Sequence, residues 1–311
     1  MTNYIRFDWA MKRLLRDKAN HSVIEGLLTS LFGEKVTIVK FLESESNQDA
    51  GDDKFNRVDI LAENDKQELI IIVEIQNTRE LAYFHRMLYG VSKAITDYIG
   101  LGDDYDKVRK VYSVNIVYFD LGQGNDYVYH GKTTFHGLHE PHDVLKLSVR
   151  QSQAFFGQDE GERFERKEAG DLFPEYYVLR VNDFDKVAKT PLDEWIAYLK
   201  TGEISESTTA PGLQRARECM RFDGLSANDR SAYLRHMEAV RTQRSLLETS
   251  RFDGYQVGRA EGLAEGIAQG REAQHLEDML QMVAKLKQAG MDTQSIMKIT
   301  NLTEAQIASV Q

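Results

Sequence analysis

VDIL at 58–61 and ELIIIVEIQ at 68–76 are the stretch that decides the fold. Both runs are apolar and rich in β-branched residues, and the polar NDKQ at 64–67 marks a turn between them, so they predict neighbouring strands of a hairpin. Side chains two apart on a strand share a face, which sets Glu74 and Gln76 together, and Asp59 on the partner strand can project beside them. Two carboxylates at one spot of an otherwise apolar sheet are costly unless a cation sits between them. Hard divalent ions with oxygen ligands are the usual occupant.

Working outward, DWAMKRLLRD at 8–17 and SVIEGLLTSLFG at 22–33 read as two helices, the second with an apolar stripe through Val23, Ile24, Leu27, Leu28, Leu31 and Phe32 and a stop at Gly33. Val36 to Leu42 predicts a first strand, followed by a polar loop over 43–56. Residues 79–99 predict a long helix in which Leu81, Phe84, Leu88, Val91, Ile95 and Tyr98 recur at spacings of three and four. VYSVNIVYFDL at 111–121 predicts another strand, giving an α/β core. YYVLRV at 176–181 and LDEWIAYLKTGE at 192–203 extend it, while SESTTAPG at 205–212 has the composition of a linker. The expected organisation is therefore a domain over 1–204, a linker over 205–212 and a helical region over 213–311.

A 41% apolar composition with 10% aromatics indicates a folded globular protein. A single cysteine, Cys219, excludes an intramolecular disulfide framework, and no apolar run approaches the ~20 residues of a membrane span. The N-terminal MTNYIRFDWAMKRLL has no apolar core of a signal peptide, so a cytoplasmic location is expected. The formal net charge of −10 argues against non-specific coating of nucleic acid, which needs clustered Lys and Arg. It leaves a nuclease open, because a metal-dependent site is itself acidic.

Phosphodiester hydrolysis needs a water activated at neutral pH and charge stabilisation on phosphate oxygens, both of which carboxylate-held Mg²⁺ supplies. Asp59 and Glu74 are the candidate metal ligands, the Ile75 carbonyl is a third oxygen, and Gln76 would face the nucleophile or the scissile phosphate. The arrangement resembles the PD-(D/E)XK nuclease superfamily, where an Asp and an acidic-x-Lys triplet sit on adjacent strands. It resembles more closely the Rpn family of recombination-promoting nucleases and transposases, which carry Glu-x-Gln at the triplet. FDWAMKRLL, RVDILAENDKQELIIIVEIQ, FHRMLYGVSKA and LDEWIAYLKTGEI carry that resemblance in order over residues 5–204. It implies an α/β restriction-endonuclease-like fold with a mixed central sheet, a Mg²⁺ (or Mn²⁺) cofactor, a DNA substrate, and metal-binding acids at Asp59 and Glu74.

The sequence departs from the superfamily pattern at Gln76, which cannot bring the positive charge of the usual lysine. Arg86, on the helix that follows, is the candidate substitute. Glu25 is a candidate for the helix-borne acid that many PD-(D/E)XK enzymes add, although Ser22-x-x-Glu25 also fits a capping box. Asp8 fits either an N-cap or the mouth of the site. Plain readings stand beside these: strand-end acids for Asp59 and Glu74, and a solvated helix face for Arg79, Arg86 and Lys93. His130, His136, His139 and His142 lack the spacing of a zinc site, and a polar strand-loop region is expected there.

Gly254, Gly258, Gly262, Gly266 and Gly270 recur every fourth residue. Each is poor in an isolated helix, so close approach of a second copy of the chain is one expectation and a low-complexity connector the other. Residues 277–311 outline a helix-turn-helix, with Thr303-x-x-Gln306 capping a last helix that has no Lys or Arg. Two functions follow. One is a Mg²⁺-dependent DNA endonuclease linked to recombination, mobile elements or defence against foreign DNA. The other is a catalytically weak nuclease-fold module that binds DNA or protein and assembles through its C-terminal helices.

Overall fold

A computed structural model describes residues 4–15, 17–42, 60–75, 81–99, 103–156, 168–185 and 187–310. Asp59, Gln76 and Arg79 lie outside them. The chain divides into two compact units, residues 1–241 and 242–311.

In the first unit six strands form one sheet: β1 (Ile38–Leu42), β2 (Ile60–Asn64), β3 (Leu69–Ile75), β4 (Val111–Val117), β5 (Val128–Gly131) and β6 (Glu175–Arg180). Their spatial order is β1-β2-β3-β4-β6-β5. The hairpin expected from NDKQ is present, β2 and β3 pairing antiparallel with Ile60 opposite Ile72 and Glu63 opposite Leu69. Its turn is built by Asn64, whose side-chain oxygen accepts from the Lys66 and Glu68 backbone amides at 3.1 and 2.8 Å while its amide donates to Glu68 at 2.7 Å. A short polar side chain that satisfies turn amides is what Asn supplies best. β3, β4 and β6 run parallel, and the outer strands antiparallel, so the sheet is mixed.

Helices cover both faces. On one, α1 (Phe7–Arg13), α2 (His21–Phe32), α5 (Pro191–Thr201) and α6 (Leu213–Cys219) bury Ile60, Ala62, Ile70, Ile72 and Val114. Complete burial of each such aliphatic side chain contributes about 1.5–3 kcal/mol. Gly33, at φ 74°, ends α2 in the left-handed conformation that a residue without Cβ adopts at no steric cost. On the other face α3 (Tyr83–Asp97) packs Val91 and Ala94 against Leu61, Leu69, Ile71 and Val111, and Tyr83 and Met87 against Val117 and Val178. This is not the stripe the sequence suggested. Leu81, Phe84 and Leu88 are 90, 55 and 59% exposed, because α3 is turned so that Tyr83 donates its hydroxyl to the buried Asn115 on β4 at 3.0 Å. A buried amide in mid-strand without a partner costs more than exposing aliphatic surface recovers.

The segment 205–212 is fastened to α5. Thr208 and Thr209 bond the Glu194 carboxylate, the Trp195 indole donates to the Pro211 carbonyl at 3.0 Å, and Ala210 is buried. Glu194 gathers hydroxyl and amide donors that composition alone would assign to a mobile connector, and the compact unit continues to Arg241. Helix α4 (Val149–Phe156) lies between β5 and β6 in sequence.

Helix α7 (Ala227–Gln288) crosses the division between the units. In the second unit its last turns, α8 (Thr293–Thr300) and α9 (Glu304–Ala308) enclose a small core of Val283, Ile296 and Ile307. Asp292 caps α8 and Thr303 caps α9 in a reciprocal capping box with Gln306.

Candidate active site at the carboxyl edge of the parallel strands

Open α/β sheets bind ligands beyond the carboxyl ends of their parallel strands, where side chains converge and backbone is not yet committed to the ladder. Here that edge is marked by one row of strand partners: Ile75 pairs with Val117, and Val117 with Arg180. Glu74 lies one residue inside it, opposite Ile116. The backbone of Glu74 is thus set in an interior strand, with β2 and β4 as its neighbours. Asp59 immediately precedes Ile60 in sequence, and Ile60 is the partner of Ile72.

The opposite edge is chemically closed. Glu63 on β2 is paired with Arg109 and with Lys40 at 3.4 Å. Glu175 on β6 is paired with Lys110 at 2.5 Å and with His130 at 2.7 Å. Partial burial pushes both carboxyls up, but Arg109 and Lys40 at Glu63, and Lys110 with the His130 bond at Glu175, outweigh it and hold them below the usual carboxylate range. Carboxylates already neutralised by arginine and lysine are poor metal ligands. Among the described residues no group of three His, Cys, Asp or Glu side chains is placed to hold a metal. His130 stacks on Tyr177 at 4.3 Å and His136 bonds the Pro141 carbonyl through Nδ1, so both rings are engaged in structure.

The structure does not bring Glu25 to the Glu74 edge. Glu25 accepts from the Ile38 amide at 2.8 Å, and Ile38 pairs with Asn64, at the far end of β2 from Ile60. Nor does it form a capping box with Ser22, since α2 starts at His21 with Asn20 as its N-cap. It ties α2 to the start of β1 instead. Arg86 is half-buried in the first turn of α3, whose Tyr83 packs beside Val117 and Phe119 at the carboxyl edge.

Asp8 is in the first turn of α1 rather than at its N-cap, which is Arg6. It is 5% exposed and accepts from His236 Nε2 at 2.9 Å, with the Arg6 Nε at 3.5 Å. Burial raises its pKa, and the His236 bond and the Arg6 charge more than reverse the shift, leaving it lowered.

Two cations near the edge escaped the sequence reading. Arg180 ends β6 in the row of Ile75 and Val117, paired with Asp183 and donating to the Gly124 carbonyl at 3.2 Å. Arg6 lies 5.7 Å from the ring of Tyr118, the residue after Val117. Among the described residues the Nε of each is buried without a hydrogen-bond acceptor. Local sequence carries no signal for either, because strand order and a helix from elsewhere in the chain bring them there.

Residues 5–143 match the family model described as PD-(D/E)XK nuclease family transposase. Over that segment the chain is similar to this nuclease family. No curated protein and no solved structure matches. The matched segment contains β1 to β5, hence the whole Asp59 to Gln76 constellation, and the mixed sheet with helices on both faces is the PD-(D/E)XK, restriction-endonuclease-like fold. Such nucleases use divalent metals, and carboxylate and carbonyl oxygens of the kind that Asp, Glu and main chain supply suit hard divalent ions. No helix among the described residues is long and apolar enough to cross a membrane.

Proposed function

We propose that the protein is a metal-dependent DNA endonuclease that hydrolyses phosphodiester bonds. The observation that carries this reading is the placement of Glu74 and Ile75 at the carboxyl end of an interior parallel strand inside the family-matched segment. Asp59, Glu74 and the Ile75 carbonyl would hold Mg²⁺, which when bound lowers the pKa of a water and offsets charge on phosphate oxygens. Gln76 orients the water or the phosphate through its amide. It brings no charge, so compensation for the missing triplet lysine falls to a nearby arginine: Arg86 from sequence, with Arg6 and Arg180 as further cations near the edge. A cytoplasmic protein acting in recombination, on mobile elements or against foreign DNA, and assembling with copies of itself, completes the proposal.

Nicking of supercoiled plasmid by the purified chain in Mg²⁺, abolished by excess EDTA, is the test, with an RNA of matched length in parallel. A second reading rests on Gln76: without the lysine, the fold would serve as a DNA- or protein-binding module. Retained DNA binding with no Mg²⁺- or Mn²⁺-dependent cleavage would favour it.

A further inference from the structure

The two faces of the sheet separate the arginines near the carboxyl edge. In β3, Ile70 and Ile72 pack with Ile116 of β4 in the core shared with α1 and α2, whereas Ile71 and Val73 lie on the α3 side. Glu74 and Gln76 continue the Ile70–Ile72 series in sequence. Arg86 belongs to α3, which covers the other face. Arg180 follows Val178 of the cluster around Tyr83, and its guanidinium is taken up by Asp183 and the Gly124 carbonyl. Arg6 is on the first face. It immediately precedes α1, and its Cζ lies 5.7 Å from the ring of Tyr118, which packs against the core that holds Ile72 and Ile116.

Among the described residues the Arg6 guanidinium donates no hydrogen bond: its Nε is buried 3.5 Å from Asp8 Oδ1 without bonding it, and the side chain keeps 29% of its surface exposed. A guanidinium in that state is a fork of N–H donors suited to the oxygens of a phosphate. What fixes it comes from far along the chain. The buried Asp8 lies between Arg6 and His236 of α7, whose Nε2 donates to it at 2.9 Å. The Tyr233 hydroxyl, also on α7, accepts from the Arg6 backbone amide at 3.2 Å, and the Tyr233 ring meets Trp9 edge-on at 5.4 Å. The neighbouring Ile5 donates to the Met220 carbonyl at 2.8 Å and accepts from the Tyr198 hydroxyl at 3.0 Å. A long side chain loses rotamer entropy when it is ordered, and here a buried carboxylate, an aromatic ring and a clamped backbone order it before any substrate arrives.

We infer that Arg6 is the phosphate-contacting cation of this site, in place of the lysine absent at Gln76, and that Asp8 and His236 are its positioning residues. Its role in cleavage rests on the nuclease reading above, whereas the phosphate contact does not. A guanidinium stays protonated at every working pH, so Arg6 supplies charge and orientation and takes no part in proton transfer. Tyr233 and His236 lie beyond the matched residues 5–143, so the later part of the chain completes a site whose acids lie within them.

The test separates contact from cleavage. Binding of a short DNA duplex is followed by fluorescence anisotropy over a range of salt, with Ca²⁺ in place of Mg²⁺, and each phosphate contact contributes about 0.9 to the slope of log K against log salt. Arg6→Met should weaken binding by about tenfold, lower that slope by about one, and slow Mg²⁺-dependent nicking by about 10²-fold. Arg6→Met with Asp8→Asn should give the same values, and it removes the ion pair as a unit, which guards against a fold lost to a stranded buried carboxylate. Asp8→Asn alone should slow nicking and add nothing in the Arg6→Met background. Additive losses would strip Asp8 of its positioning role. An unchanged slope in both Arg6 variants overturns the inference, whether or not the wild type cleaves. A lowered slope in a protein that never nicks plasmid keeps Arg6 at the phosphate and removes the nuclease reading instead. A wild type that binds no duplex removes both.

Discussion

Glu74 and Ile116 are Cα partners in parallel register between β3 and β4. A residue so placed has its backbone fixed by the ladder whatever its side chain, so replacing the carboxylate should leave the sheet intact. Glu74→Ala and Asp59→Ala should each abolish Mg²⁺-dependent plasmid nicking while the thermal midpoint by circular dichroism moves by only a few degrees. Cleavage at the wild-type rate in either variant would refute the assignment of metal ligands.

Gln76 can be separated from the ligands by its direction of effect. Gln76→Ala removes a positioned contact to water or phosphate and should slow cleavage by about 10²-fold, the scale of one transition-state hydrogen bond. Gln76→Lys restores the residue more usual in the superfamily and should retain activity. Equal rates in wild type and both variants would make Gln76 a bystander.

Gly26 on α2 faces the chain at Pro211 and Gly212. A Cβ at position 26 would run into the Pro211 carbonyl and lie 2.6 Å from the Gly212 Cα, backbone that cannot swing aside as a side chain would. Gly26→Ala should therefore destabilise the first unit by about 1–3 kcal/mol through overpacking, even though alanine is the better helix former by about 1 kcal/mol. A chemical-denaturation midpoint equal to or above that of the wild type would show that α2 and the 205–212 segment can separate at no cost.

What the sequence disclosed and what it withheld follow the range of the interactions involved. The β2–β3 hairpin, the end of α2 at Gly33 and the Thr303–Gln306 capping box are settled by residues within a few positions of one another, so pattern and propensity suffice. The buried face of α3 was misread because Leu81, Phe84 and Leu88 outweigh Tyr83 in hydropathy, whereas the deciding contact is with Asn115 on another strand. Asp8 and His236 are 228 positions apart, and Arg180 reaches the edge only because β6 inserts between β4 and β5. Topology of that kind leaves no local trace. At the candidate site, Asp59 and Glu74 are offered by a spacing on predicted strands, whereas Arg6 and Arg180 leave no local pattern to read.

The closed edge of the sheet should govern acid stability through Glu175. Its carboxylate meets the Lys110 ammonium at 2.5 Å, His130 Nε2 at 2.7 Å and the Tyr177 hydroxyl at 3.4 Å, and it keeps only 15% of its side-chain surface exposed. Burial raises its pKa, and Lys110 and His130 lower it further than burial raises it, so the folded value lies below the ordinary 4.5. A depressed carboxylate contributes stability that is complete above the unfolded pKa and is lost as pH falls through the folded one. Lys110→Met should therefore cost about 2 kcal/mol near neutral pH, less than the roughly 3–5 kcal/mol of breaking a fully buried pair. That deficit should shrink as both proteins are taken into acid through the depressed folded pKa, where the wild type protonates Glu175 and loses the same interaction. Thermal midpoints of the two proteins measured across this range give the answer: convergence is expected, and a gap as wide in acid as at neutrality would mean that Lys110 acts by packing its methylenes against Tyr112 and not by its charge.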